Sequence, residues 1–213
     1  TKVHNETIRH YELGRHVLLV GHNNHPEVIG TMGQVPKENV TLIETEEDAQ
    51  NVEIINPNQL AFATQTTLSV DDTNAILTIL KNRFPNIKGP TAEDICYATT
   101  NRQGAVKSLA KICDCILVIG AKNSSNSLRL VEVAIASGVK NSFLIPNERT
   151  LNDFLNTYDP IEFPNIGLTA GASAPETLVQ VLIKKLKTNF KVNQINHEVI
   201  KENITFNLPK ILR

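Results

Sequence analysis

Two short apolar runs, His16-Val17-Leu18-Leu19-Val20-Gly21 and Cys115-Ile116-Leu117-Val118-Ile119-Gly120, fix the class of fold open to this chain. Each is continuous rather than alternating, as expected of a strand buried on both faces. Around the first, residues 40–43 and 60–63 read as neighbouring strands. Residues 70–84 carry helical spacing, with Ala75, Ile76, Ile79 and Leu80 on one face, and Ser69-Val70-Asp71-Asp72 supplies the start signal. Residues 85–90 break the pattern at the turn Lys88-Gly89-Pro90, which marks a boundary. The scheme then repeats: helix 101–112, strand 115–120, helix 124–137, strand 142–145, helix 151–158, strand 165–169 and helix 175–190. Residues 191–203 read as a polar linker, and 204–208 alternate like an edge strand. This predicts an α/β protein with parallel sheets, divided as 1–90, 91–190 and a tail, 191–213.

In such sheets ligands bind beyond the carboxyl ends of the strands. Polar, nearly uncharged loops fall there: His22-Asn23-Asn24-His25-Pro26-Glu27, Thr64-Gln65-Thr66-Thr67, Lys122-Asn123-Ser124-Ser125-Asn126-Ser127 and Thr169-Ala170-Gly171-Ala172-Ser173-Ala174-Pro175-Glu176. Cys96-Tyr97-Ala98-Thr99-Thr100-Asn101-Arg102-Gln103 opens the second half with one cysteine among hydrogen-bonding side chains. These loops suit a small anion. A net charge of -1 argues against a nucleic-acid or polybasic membrane surface, and no apolar run approaches the roughly 18 residues of a membrane span. The three cysteines suit a reducing compartment rather than a disulfide framework. Thr1 stands where a methionine would begin a chain, and the opening residues read as a helix already under way, so a preceding segment is expected.

Ser124, Ser125 and Asn126 open one helix and Ser173 another, where unpaired N–H groups and the helix dipole favour phosphate. Plain capping explains any one of these serines equally simply, Ser173-Ala174-Pro175-Glu176 reading as a capping box. His25 and Glu27 pair an imidazole with an acid in a loop after a strand, able to hold an anion and deliver a proton, or else to form a surface turn around Pro26. Thr66 and Thr99 are candidate hydroxyl donors or turn residues. Cys96 is a nucleophile, a metal ligand or a packing residue. Cys113 and Cys115, two apart, should face the same side of a strand and pack there.

With these motifs in hand, the chain resembles the 4-hydroxy-3-methylbut-2-enyl diphosphate reductase family from Thr1 to Arg213. The likeness rests on His25-Pro26-Glu27-Val28 with Gly30-Thr31-Met32-Gly33-Gln34, on Thr64-Gln65-Thr66-Thr67-Leu68-Ser69-Val70-Asp71-Asp72, and on Asp94-Ile95-Cys96-Tyr97-Ala98-Thr99-Thr100-Asn101-Arg102-Gln103. Asn123-Ser124-Ser125-Asn126-Ser127 and Thr169-Ala170-Gly171-Ala172-Ser173-Ala174-Pro175 complete it. The resemblance implies two parallel-sheet αβ lobes of a three-lobed trefoil, residues 1–90 being the middle lobe and 91–190 the C-terminal one, followed by a tail strand.

The resemblance also implies a 4Fe-4S cluster held by one cysteine from each of three segments, Cys96 matching the last. The other two cysteine ligands, and two pocket histidines, are expected upstream of Thr1. His25, Ser124, Ser125, Asn126 and Ser173 match diphosphate ligands, Glu27 the proton donor, and Thr66 the hydroxyl near the substrate's alcohol. The implied reaction is two-electron reductive dehydroxylation of 4-hydroxy-3-methylbut-2-enyl diphosphate to isopentenyl and dimethylallyl diphosphates. Electrons would come from a ferredoxin or flavodoxin, in the bacterial cytoplasm or, for a eukaryotic source, a plastid. The competing reading is a cluster-free diphosphate-binding module in which Cys96 merely packs.

Overall fold

The computed structural model describes residues 2–90, 95–159 and 162–201. The first lobe is a parallel sheet of β1 (His16–Val20), β2 (Val40–Ile43) and β3 (Leu60–Thr64) in the order β2-β1-β3. The second repeats that order with β4 (Cys115–Ile119), β5 (Asn141–Ile145) and β6 (Ile166–Ala170) as β5-β4-β6. The central strands β1 and β4 are the two apolar runs that dominate the sequence, because a central strand covered on both faces has no solvent side to alternate with.

Helices cover both faces of each sheet. Leu18, Val20, Leu60 and Phe62 pack against Leu68, Ile76 and Leu80 of α4 (Val70–Arg83) and its approach, while Ala49 of α3 (Glu46–Asn51) joins the same cluster. On the opposite face Val17, Leu19 and Ala63 meet Val3 of α1 (Lys2–Glu12) and Val28 of α2 (Pro26–Met32). In the second lobe Ile116 and Val118 face Val106 of α5 (Tyr97–Leu109) and Leu130 of α6 (Ser125–Ala136). Leu117 and Ile119 face Leu151 and Phe154 of α7 (Glu148–Thr157) and Leu182 of α8 (Glu176–Asn189). Each such fully buried Leu or Ile stabilises by about 1.5–3 kcal/mol. Among the described residues no helix is long and apolar enough to cross a membrane.

Several local expectations shift. Two short helices, α2 and α3, were not legible in the sequence, so Glu27 stands in a first helical turn rather than a loop. Helix α5 begins at Tyr97, four residues before the expected start, and Cys96 is its N-cap. Ser173 does not cap α8: Pro175 holds the N-cap position without a side-chain hydrogen bond, so the expected capping box is absent. Cys113 and Cys115 do not face the same side. Cys115 joins the cluster under α7 and α8, whereas Cys113 packs with the cluster under α5 and α6. Strand alternation cannot relate them, because β4 starts only at Cys115. The expected edge strand at 204–208, and Asp94, lie outside the described residues.

The lobes meet through side chains. Gln103 of α5 is 1% exposed. Its amide accepts from Val70 N at 3.0 Å and donates to the Leu68 carbonyl at 2.8 Å, joining α5 to the start of α4. Lys107 pairs with Asp71 at 2.6 Å.

Candidate functional site

The first half of the site forms where β1 and β3 end. Gly21 follows β1, and a Cβ there would come within 2.6 Å of Val28 Cγ2, so only glycine lets α2 fold back this closely. His25 is the N-cap of α2, its Nδ1 accepting from Glu27 N at 3.2 Å, with Pro26 inside the first turn. Because Nδ1 accepts, the neutral ring carries its proton on Nε2, which remains a donor for a ligand. Glu27 is half-buried, and its Oε2 accepts from both Thr66 N and Thr66 Oγ1, each at 3.0 Å. Those two bonds fix one carboxylate oxygen and leave Oε1 without a hydrogen bond among the described residues. The Thr66 carbonyl in turn accepts from Cys96 N at 3.1 Å. Glu27, Thr66 and Cys96 are thus consecutive members of one hydrogen-bonded chain.

Cys96 is exposed, in an open groove of about 620 Å³ lined by Lys2, Thr66, Ile95, Tyr97, Thr100 and Asn101. Its place at the start of a 13-residue helix puts the sulfur at the positive end of the helix dipole. The other two thiols differ. Burial, then Cys113 and Asp114, pushes the Cys115 thiol up to about 12, and burial followed by Asp114 raises Cys113. Both stay protonated and act as packing groups. Among the described residues no three His, Cys, Asp or Glu side chains gather as a metal site. The donor set therefore fits one thiolate corner of an iron–sulfur cluster, at Cys96, and not a complete set of ligands.

The second half forms where β4 and β6 end. A Cβ on Gly120 or on Gly171 would overlap Ser127 Oγ, so two glycines admit the fully buried Ser127 between the two loops. Ser124 is the N-cap of α6, and its Oγ accepts from Ser127 N at 3.3 Å and from Ser127 Oγ at 2.9 Å. Asn126 is 7% exposed, yet neither Oδ1 nor Nδ2 has a partner among the described residues. A buried amide without partners costs on the order of 1–3 kcal/mol, and this one stands at a helix N-terminus beside two serines, where free N–H groups and the dipole favour an anion. Ser173 lies exposed in the turn closed by Ala174 N donating to the Gly171 carbonyl at 3.0 Å. It makes no hydrogen bond to His25, Ser124, Ser125 or Asn126.

The halves join at Thr67 Oγ1 and Ser125 Oγ, 2.9 Å apart. Gln65 and Thr67, which the sequence reading did not single out, make this junction, although both stand in the quoted Thr64–Asp72 segment. His22 also bridges, its Nε2 accepting from Arg129 of α6 at 2.7 Å. Burial, then the Arg129 cation, lowers the His22 pKa. A separate cavity of about 230 Å³ lies beside this contact. Glu44, Glu46 and Asp72 in its wall outnumber Arg129, so it does not suit a diphosphate.

The comparisons with known proteins bear on the family and the fold. A family model described as LytB protein matches residues 1–187. The "4-hydroxy-3-methylbut-2-enyl diphosphate reductase 2" of Rhodopseudomonas palustris is 49% identical over 213 residues, covering all of this chain and 65% of its own. The corresponding reductase of Brucella anthropi is 53% identical over 193 residues, 90% of this chain and 54% of its own. The solved E-1-hydroxy-2-methyl-but-2-enyl-4-diphosphate reductase from Plasmodium falciparum superposes with a TM-score of 0.89 at 32% identity, over 99% of this chain and 65% of that one. The chain therefore spans between 54% and 65% of the length of these relatives. With a family model over most of its length and two α/β lobes that superpose on a solved relative, this chain belongs to the LytB protein family.

Proposed function

We propose that the complete protein containing this chain reduces 4-hydroxy-3-methylbut-2-enyl diphosphate to isopentenyl and dimethylallyl diphosphates, with two electrons entering and the hydroxyl leaving as water. Residues 1–90 and 91–190 serve as two of its lobes, and 191–213 as linker and tail. The observation that carries this reading is the chain Glu27–Thr66–Cys96, which ties an acid, a hydroxyl and an exposed thiol together at the edge of one groove.

In this reading Cys96 is one thiolate ligand of a 4Fe-4S cluster whose other ligands come from outside this chain. When bound, the cluster supplies electrons and a Lewis-acidic iron. Every other role falls to side chains. Asn126, Ser124 and Ser125 bind the diphosphate with the donors of α6, and His25 and Ser173 approach it from their own loops. Asn126 gains its missing partners in doing so. Thr66 stands beside the substrate's alcohol, and its hydroxyl and N–H donate to Glu27 Oε2, so that Oε1 is the oxygen left to carry the proton Glu27 delivers. A ferredoxin or flavodoxin is the electron source, and the bacterial relatives support a bacterial cytoplasm as the setting.

The test is Glu27→Gln in the full-length, cluster-loaded protein. Positioned acids contribute about 10²–10⁴-fold, so turnover should fall by at least about 10²-fold while the visible absorption of the cluster stays unchanged. Wild-type turnover in that variant removes Glu27 from the mechanism.

A further inference from the structure

Gln65 is fully buried at the end of β3. His22 N donates to its Oε1 at 3.0 Å. A backbone N–H can only donate, so this bond settles which end of the Gln65 amide is oxygen. The other end, Nε2, must then donate to Thr67 Oγ1, 3.0 Å away. A hydroxyl has one proton and two lone pairs. With one lone pair taken by Gln65, Thr67 keeps its proton uncommitted and can give it to Ser125 Oγ, 2.9 Å away, although either hydroxyl could be the donor in that bond. When Thr67 donates, Ser125 accepts, and its own proton is left to point elsewhere.

Ser124 obeys the same logic by another route. Its Oγ accepts twice, from Ser127 N and Ser127 Oγ, so both lone pairs are engaged and its proton faces outward. Two adjacent serines at the start of α6 can thus each be fed by protein donors, which leaves each with its hydrogen to offer.

We propose that Gln65 is a positioning residue that sets the polarity of this hydrogen-bond relay, so that Ser125 presents a donor to the anion. The inference rests on the diphosphate reading of the α6 site. It makes Gln65, which touches no ligand, a determinant of anion affinity. The geometry is specific to an amide. A carboxylate at residue 65 can only accept, so Thr67 would donate to it, Ser125 would donate to Thr67, and a Ser125 lone pair would face the diphosphate.

The experiment measures inorganic diphosphate binding by calorimetry, with the full-length protein, from pH 6 to pH 9. Gln65→Glu should weaken the Kd about tenfold at pH 9, equivalent to about 1.4 kcal/mol. The ratio to wild type should shrink as pH falls, because a protonated Glu regains a donor; taking the ratio removes the ligand's own titration. In a Ser125→Ala background Gln65→Glu should add nothing. Thr67→Val, close in shape, removes the relay without a buried charge; Ser125 keeps its own proton for the anion, so this variant should bind close to wild type and Gln65→Glu should lose its effect in that background. Gln65→Glu binding like wild type, a loss independent of pH, a loss that multiplies with Ser125→Ala, or one that persists in the Thr67→Val background would each overturn the proposal. The underlying reading fails differently: the wild type would not bind diphosphate, or Asn126→Ala would bind it as well as wild type, and the relay would fall with it.

Discussion

Gln65 and Asn126 are both buried side-chain amides at the carboxyl ends of parallel strands, one in each lobe. Gln65 uses both ends of its amide, accepting from His22 N and donating to Thr67. Asn126 uses neither. The lobes share one strand order, yet the first completes its polar loops internally and the second leaves one open. The difference divides the labour. In the first lobe Gln65 and Glu27 Oε2 are held by protein partners before any ligand arrives. In the second, the Asn126 amide has no protein partner among the described residues and stays available to a bound group.

That contrast can be broken at three points. The largest effect is expected at Gln103, whose satisfied amide joins the lobes. Gln103→Leu leaves the Val70 N–H and the Leu68 carbonyl buried without partners, at a cost of roughly 2–3 kcal/mol, read as a lower urea midpoint. An unchanged midpoint would mean that the lobes are held together elsewhere. Asn126→Ala comes next and should behave in the opposite way. It removes no hydrogen bond from the free protein and takes away an unpartnered buried amide, so ligand-free stability should stay level or rise, while diphosphate affinity falls at least about tenfold, from the 1.5–3 kcal/mol of a hydrogen bond to a charged group. A variant that loses stability and keeps its affinity would reverse the assignment.

The smallest effect is acid sensitivity centred on the first lobe. Burial lowers the pKa of His10, His16 and His22, all in that lobe, from the ordinary 6.5. The folded state therefore binds fewer protons than the unfolded chain near and below pH 6.5. Stability rises with pH across that window and is lost as pH falls through 6.5 toward the folded values. Protonating His22 also removes the acceptor that Arg129 uses. Amide exchange should show β1 and α1 opening on acidification before β4 does; simultaneous opening would argue against the lobes responding separately.

The central strands and the longer helices were legible because their signals are local: a continuous apolar run, a Ser69 cap whose Oγ accepts from Asp72 N at 3.3 Å. The turn expected at Lys88-Gly89-Pro90 is not there: the chain turns at Pro85 and Asn86, and Lys88 pairs beside β3, its N donating to the Leu60 carbonyl at 3.0 Å and its carbonyl accepting from Phe62 N at 2.8 Å. Helices α2 and α3 were not legible. At 7 and 6 residues they are too short to show helical periodicity, and tertiary packing against the sheets holds them. The capping motif before α8 had the right residues, but the chain turns at Gly171–Ala174 and begins the helix later.

The amino-acid sequence by itself determined the two α/β units, the polar loops at their strand ends and, through the resemblance its motifs carry, the family. Only the tertiary structure decided which polar groups meet. Glu27 and Thr66 are 39 residues apart, and Thr67 and Ser125 are 58 apart. Hydrogen bonding depends on distance and direction in space, and a chain crossing between sheets leaves no local pattern that records either. The same holds for Asn126, whose residue type gives no sign that folding would bury it and leave it unpaired.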